Sequence, residues 1–178
     1  QFTVETKGGL VTITLHLDRY GDASSVTVEM GQATFHPASL PCTLTINELI
    51  NQPIVADGQS LTFTGVSVGN PHCVVFKRAG QSWSREDLLK LGPILENHAY
   101  FPNRTNVQLA VPTGPKELFI LIWERGAGET QASGSSSCAA ASAAVRLGLV
   151  KSPVRVKMPG GQLNIEVAQD FSLTMKGP

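Results

Sequence analysis

Apolar and polar residues alternate along positions 2–35, as they do in strands with one buried face. The clearest alternating runs are Phe2–Thr6 and Val26–Met30. Turn-forming residues separate such runs at Gly8-Gly9 and at Tyr20-Gly21-Asp22. The pattern therefore predicts antiparallel strands joined by hairpins.

The segment from His36 to Pro41 cannot continue this ladder, because its two prolines lack amide donors and restrict the residues before them. We therefore predict a lobe boundary there. Farther along, a helix is predicted from Ser84 to Glu96, with Ser84 as its cap and Pro93 as a point where it ends or kinks. Strands are predicted at Leu61–Val68, Cys73–Lys77, Asn106–Val111, Leu118–Glu124, Val154–Met158, Leu163–Val167 and Phe171–Met175.

The composition changes abruptly after residue 124. Residues 125–137 are rich in Gly and Ser, and they lead into an alanine-rich run that starts at Cys138 and ends at Gly148. Alanine is the strongest helix former and Gly a common stop, so this run is predicted to be helical. Its small side chains would let strands pack closely around it. The expected fold is α+β, with a mostly antiparallel, strongly curved sheet wrapped around a central helix.

Charge and cysteine content narrow the class of partner. The 178 residues carry 14 basic and 14 acidic side chains, so the cationic surface that nucleic acid or an anionic membrane would require is not expected. A small-molecule ligand is favoured instead. Three widely spaced cysteines without a C-x-x-C pair indicate reduced thiols rather than disulfides or a zinc site, and hence a cytoplasmic location.

The most informative segment runs from Glu124 to Ser135. A strand delivers an acid and Arg125, glycines permit unusual backbone angles, and a helix with unpaired amides begins just beyond. The positive end of a helix dipole can hold a carboxylate and stabilise charge that develops on it, so we interpret the segment as an anion cradle. Arg125 could bind a second carboxylate. The alternative is that Glu124 and Arg125 pair with each other beside an ordinary helix-entry loop.

Two further motifs carry polar side chains at strand ends. Asn70 and His72 flank Pro71 in a turn, where a histidine could orient or exchange a proton. Asn106 stands at the start of a predicted strand and offers both a donor and an acceptor. Each motif taken alone is also ordinary turn chemistry.

Taken together, these motifs resemble the diaminopimelate epimerases, which racemise an amino-acid carbon without pyridoxal phosphate or another cofactor. The matching strings are GNPHCVVF at 69–76, FPNRTNV at 101–107, ERGAGET at 124–130 and MPGG at 158–161. The resemblance covers the latter part of a full-length member. It implies that residues 1–41 are the remaining strands and linker of an N-terminal lobe, and that residues 42–178 are a C-terminal lobe whose last strands could return to the first.

The same resemblance implies roles for individual residues. Asn70 and Asn106 would bind the distal end of the substrate and Arg125 its distal carboxylate. The amides of Gly134 and Ser135 would hold the reacting α-carboxylate. His72 and Glu124 would support two cysteine bases on opposite faces of the α-carbon.

One position departs from the family. Where members have the second catalytic cysteine, this chain has Ser133, and a hydroxyl is a much poorer base than a thiolate. Cys138 lies five residues farther along, about 7.5 Å on a helix, and cannot simply substitute. Three explanations remain open: a mutation that traps an inactive or ligand-bound state, a divergent member with one thiol base, or a natural variant with altered chemistry.

The resemblance implies interconversion of LL- and meso-diaminopimelate, in lysine and peptidoglycan precursor biosynthesis, with no metal. The expected partners are an amino-acid diacid and the missing N-terminal lobe that carries the first catalytic cysteine. We therefore expect this chain to be incomplete and inactive alone, with homodimerisation through the uncovered face as a possible consequence. The alternatives are a one-base isomerase or dehydratase of a small acid on the same fold, and a non-catalytic domain that binds diacids.

Overall fold

The computed structural model describes residues 1–6 and 9–178, and within them it contains one sheet of twelve strands and two α-helices. The helices are α1 (Arg85–Glu96) and α2 (Gly134–Arg146). The strands are β1 (Phe2–Thr6), β2 (Gly9–Leu17), β3 (Ala23–Gln32), β4 (Gln52–Ala56), β5 (Gln59–Ser67), β6 (Pro71–Phe76), β7 (Asn106–Gly114), β8 (Glu117–Glu124), β9 (Gly128–Thr130), β10 (Val154–Met158), β11 (Gly161–Val167) and β12 (Ser172–Gly177). The α+β class is confirmed.

Most neighbouring strands of the sheet run antiparallel. Their order is β1-β2-β3-β12-β11-β10-β8-β7-β6-β5-β4, and β9 pairs with β8. Only the pairs β6/β7 and β8/β10 are parallel among the described strands. The last strand, β12, pairs with β3, so the end of the chain hydrogen-bonds to its first hairpins.

The proline-rich segment that we predicted as a boundary forms a short 3₁₀ helix at Pro37–Ser39. Pro37 and Leu40 are buried there. Just before this segment, Thr34 forms an isolated bridge to Ser67, the last residue of β5. The segment therefore leads from β3 to the side of the sheet where β4 is the edge strand. The division of the chain into two lobes at residue 41 stays a prediction.

Helix α1 forms where the leucine pattern predicts it. The Ser84 hydroxyl accepts from the amide of Asp87, and the Asp87 carboxylate accepts from the amide of Ser84, which together form a capping box. Three leucines of the helix are buried in one of the two hydrophobic clusters. Pro93 does not end the helix, which continues to Glu96.

Helix α2 occupies the centre of the other hydrophobic cluster. Nine consecutive residues, Ser136–Ala144, are buried, and the helix contacts strands β5–β8 and β10–β12. The helix starts at Gly134, four residues before the predicted start at Cys138, because Ser133 caps it. Gly148 follows its last turn at a φ of 70°, so the predicted stop is confirmed.

Two strands were missed by the sequence patterns. Strand β4 contains Pro53, which argues against a strand interior but is tolerated because β4 is at the edge of the sheet. Strand β9 lies in the glycine-rich segment that we interpreted as a loop. The predicted turn at Gly8-Gly9 includes Gly8, which lies outside the described residues. Neither α1 nor α2 has the length and apolar character needed to cross a bilayer.

Candidate active site

The motif residues of three separate segments meet at one edge of the sheet. Strand β7 runs parallel to β6 with His72 opposite Asn106, and antiparallel to β8 with Val107 opposite Trp123. The start of β7 therefore lies beside the start of β6 and the end of β8. This register brings Asn70, Asn106 and Arg125 to the same edge.

Hydrogen bonds connect these segments directly. The Asn70 amide oxygen lies 3.0 Å from Nε2 of His72. The side chain of Asn106 donates to the carbonyl of Pro71 at 2.9 Å, and its oxygen accepts from the backbone amide of Arg125 at 2.9 Å. Asn106 thus uses both its donor and its acceptor to fasten the other two segments together.

His72 is completely buried next to Asn70, and burial lowers the pKa of its imidazole to about 3. This value also includes two smaller effects, since the side chain of Gln108 raises the pKa and the nearby cation of Arg125 lowers it. His72 is therefore neutral near pH 7. Because the Asn70 oxygen only accepts, we assign the imidazole proton to Nε2.

Glu124 and Arg125 follow each other at the end of β8, and the structure contains no ion pair between them in residues 1–6 and 9–178. The Arg125 guanidinium instead donates to the carbonyl of Asn103 at 3.3 Å and is exposed. Glu124 is half-buried. In the described chain, Glu124 and Arg125 therefore do not form the mutual ion pair that was the alternative interpretation of this segment.

Ser133 is the N-cap of α2. Its backbone is extended, with φ −155° and ψ 127°, and its hydroxyl accepts from the amide of Ser136 at 3.4 Å. Gly134 and Ser135, both half-buried, are the first two helical residues, whose amides have no partner within a helix. A small pocket next to this helix start is lined by Ser133, Gly134, Met158 and Gly160 among other residues. The segment that the sequence predicts to bind an anion therefore forms the start of α2, capped by Ser133 and next to a pocket.

Gln108, which the sequence analysis missed, connects strand β7 to the start of α2. It is fully buried on β7, and its amide donates to the Ser136 hydroxyl at 3.0 Å. Asn106 and Gln108 are two residues apart in a strand whose other residues as far as Pro112 are apolar, so they share one face. This spacing of two polar residues was the available signal.

Two of the three cysteines, Cys73 and Cys138, are buried and are not placed as bases. Cys138 is fully buried as the fifth residue of α2, and burial raises the pKa of its thiol to about 12. Cys73 is fully buried in a hydrophobic cluster, and burial raises its pKa strongly as well. Neither thiol is ionised near pH 7, so Cys138 does not supply the thiolate base that the sequence resemblance implies for position 133.

Sequence comparison identifies the family. The sequence profile described as diaminopimelate epimerase matches residues 64–178, which include all the motif residues above. The chain belongs to the diaminopimelate epimerase family. The diaminopimelate epimerase of Desulfitobacterium hafniense is 38% identical over 176 residues, and diaminopimelate epimerase 2 of a Nostoc species is 42% identical over 175 residues.

These alignments include 98% of this chain but only 60% and 59% of the two relatives. The chain thus spans about three fifths of the length of the curated epimerases that it matches.

Solved structures show the same fold at low sequence identity. A hydroxyproline epimerase from Agrobacterium vitis superposes with a TM-score of 0.69 at 16% identity, over 98% of this chain and 55% of that one. Methylitaconate-delta-isomerase superposes with a TM-score of 0.61 at 12% identity, over 98% of this chain and 62% of that one. The epimerase family therefore shares its fold with proteins named for other reactions.

Proposed function

We propose that the protein containing this chain interconverts LL- and meso-diaminopimelate by removing and returning the α-proton without a cofactor. The observation that carries this proposal is the hydrogen-bonded cluster of Asn70, His72, Asn106 and Arg125. Two residues after Asn106 on the same strand, Gln108 donates to Ser136 at the start of α2. In this arrangement, the Arg125 cation and the start of α2 can each bind one of the two carboxylates of a diacid.

In this proposal the α-carboxylate binds the amides of Gly134 and Ser135. The helix dipole stabilises the negative charge that spreads onto that carboxylate when the α-proton leaves. Arg125 binds the distal carboxylate. Asn70 and Asn106 bind the distal end with the N–H groups and lone pairs that their hydrogen bonds within the chain leave over. The exposed guanidinium of Arg125 is free to make such a contact.

Proton transfer requires a base on each face of the α-carbon. Ser133 occupies one of these positions, and the thiol of family members there would ionise readily because a helix start lowers the pKa of a cysteine. A serine hydroxyl lacks that property, so we infer that a parent protein with Ser133 transfers the proton slowly on this face of the α-carbon. His72 and Glu124 support the bases, and the other base belongs to a missing N-terminal lobe.

We propose further that the sheet curves strongly around α2, as a diaminopimelate-epimerase-like lobe does. The burial of nine consecutive residues of α2 and its contacts with seven strands support this shape. A cytoplasmic location agrees with the three free thiols. A homodimer and the boundary at residue 41 stay predictions.

The test is solvent deuterium exchange at the α-carbon of diaminopimelate, measured with the complete parent protein. We expect slow exchange with Ser133 and much faster exchange with Ser133→Cys, because a thiolate replaces a hydroxyl at the same place. Ser142→Cys, nine residues farther along α2, is the matched control and should leave the rate unchanged. If neither the wild type nor Ser133→Cys exchanges the proton, the proposed epimerase function is wrong.

Ser133 favours one alternative reaction, a one-base isomerisation or dehydration of a small acid. Release of an unsaturated product from a hydroxy acid by the parent protein, without racemisation of diaminopimelate, would support that reading. Tight binding of diaminopimelate without exchange in either variant would support a non-catalytic diacid-binding domain.

A further inference from the structure

Glu96, the last residue of α1, is a buried carboxylate outside the motif residues discussed above. It is only 6% exposed. Oε2 accepts from the indole Nε1 of Trp123 at 2.7 Å, and Oε1 accepts from the backbone amide of Gly126 at 2.7 Å. Arg104 adds a third donor, with Nη1 3.3 Å from Oε1.

The chemistry of these partners explains why a carboxylate stands at this position. All three are donors, and an ionised carboxylate only accepts, with two oxygens that can each serve a different partner. A glutamine has one accepting oxygen, so its NH₂ group would face either the indole N–H or the Gly126 amide. Burying two donors against each other is costly, so only an acid satisfies both.

The contacts of Glu96 surround the residues proposed to recognise the substrate. Gly126 follows Arg125 directly and has a φ of 78°, which makes the turn after β8 tight. The backbone carbonyl of Glu96 also accepts from the amide of Thr105 at 3.2 Å, immediately before Asn106. One residue therefore fixes the backbone on both sides of the Asn106–Arg125 hydrogen bond.

We propose that Glu96 is a positioning residue for diacid recognition, which acts by holding the turn at Gly126 and the start of β7 so that Arg125 and Asn106 meet the distal end of the substrate. The inference rests on the proposed function for its substrate, but the contacts themselves do not depend on it. It gives α1, which carries none of the motif residues, a role in the site.

The contacts are tested by NMR on the ¹⁵N,¹³C-labelled parent protein. In the wild type we expect a scalar coupling across the hydrogen bond from the Gly126 amide to the Glu96 carboxyl carbon. In Glu96→Gln the indole N–H resonance of Trp123 should move, because its acceptor changes. The indole of Trp83, which donates to the carbonyl of Ala110 at 3.0 Å, is the internal control and should not move. Absence of the coupling, or an unchanged Trp123 resonance, overturns the proposed positioning.

The consequence for recognition is tested by steady-state kinetics. Distal-end binding is present in both ground and transition states, so Glu96→Gln should raise KM for diaminopimelate about tenfold while kcat changes less than about threefold. Glu117→Gln is the matched control, since this carboxylate binds Lys157 at 3.0 Å at the opposite end of β8. KM should not change there.

An unchanged KM in Glu96→Gln, or an equal rise in Glu117→Gln, overturns the positioning role. Failure of the wild type to act on diaminopimelate at all would instead contradict the proposed function, and the NMR result would then decide the Glu96 contacts independently.

Discussion

Burial sets the protonation of His72, the residue through which Asn70 is held. Its imidazole is neutral in the folded protein down to about pH 3, whereas in the unfolded chain it takes up a proton below its ordinary value of about 6.5. Between these values the unfolded state binds more protons, so acidification favours unfolding. Because His72 stays neutral at physiological pH, it keeps one tautomer and so holds Asn70 in one orientation.

We therefore predict that the free energy of unfolding falls by up to about 1.4 kcal/mol per pH unit through His72 as the pH is lowered from 6.5 toward 3. His98, whose pKa burial also lowers, and several carboxylates contribute to the wild-type curve. The difference between wild type and His72→Gln isolates the contribution of His72. Urea titrations at pH 7, 6 and 5 measure it, and parallel curves for the two proteins would contradict the assignment.

The sequence predicted the site residues that belong to motifs, but not the residues whose hydrogen bonds hold those site residues in place. Asn70, His72, Asn106 and Arg125 stood out because polar groups at turns and strand ends have recognisable chemistry. Gln108 and Glu96 did not, because their importance comes from partners that the fold brings together, 28 and 30 residues away along the chain. Such contacts depend on strand register, which no local pattern specifies.

The close packing of helix α1 against strand β8 also supports the turn at Gly126, which follows β8. Gly92 lies in α1 under the indole ring of Trp123, and a Cβ added at Gly92 would come within 2.7 Å of that ring. The side chain that donates to Glu96 is thus held from two sides. A glycine inside a helix usually costs stability, and here it makes room for Trp123.

Gly92→Ala should therefore destabilise the protein by about 1–3 kcal/mol, although alanine is the better helix former, because the ring must move. Leu89→Ala, at an exposed position of the same helix, should change stability little. Denaturant unfolding measures both. Equal or increased stability of Gly92→Ala would show that α1 and β8 pack less tightly than described.

Helices and strands were predicted well where a hydrophobic pattern extends over many residues. They were predicted less well where a single residue determines where the element begins or whether it forms. Helix α1 follows its leucine pattern and its capping serine. The start of α2 was placed four residues late, because the serines after Gly134 are weak helix formers and the cap at Ser133 determines the start. Strand β4 was missed, and its Pro53 is tolerated because the strand lies at the edge of the sheet.

At the scale of the whole molecule, burial is unevenly distributed along the chain. The described side chains of β1, β2 and β3 are all exposed or half-buried, whereas β6 and β7 are almost entirely buried. Long strands with so little buried surface gain little from packing within this chain. They fit the proposal that a further lobe covers them in the parent protein.

Amide hydrogen exchange of the 178-residue chain should therefore be faster in residues 9–32 than in β6 and β7, because local opening costs less where few side chains are buried. In the complete parent protein, protection in the first segment should rise while β6 and β7 remain unchanged. Equal protection of both segments in the isolated chain would contradict the uneven distribution of stability.

In the proposed mode of binding, the start of α2 and Arg125 hold the two carboxylates of one ligand. Titration of the ¹⁵N-labelled parent protein with meso-diaminopimelate tests it, with L-lysine, which lacks the distal carboxylate, as the comparison ligand. We predict that both ligands shift the Gly134 and Ser135 amides and that diaminopimelate binds more tightly, an advantage lost in Arg125→Leu. Unshifted Gly134 and Ser135 amides at saturating diaminopimelate would contradict this mode of binding.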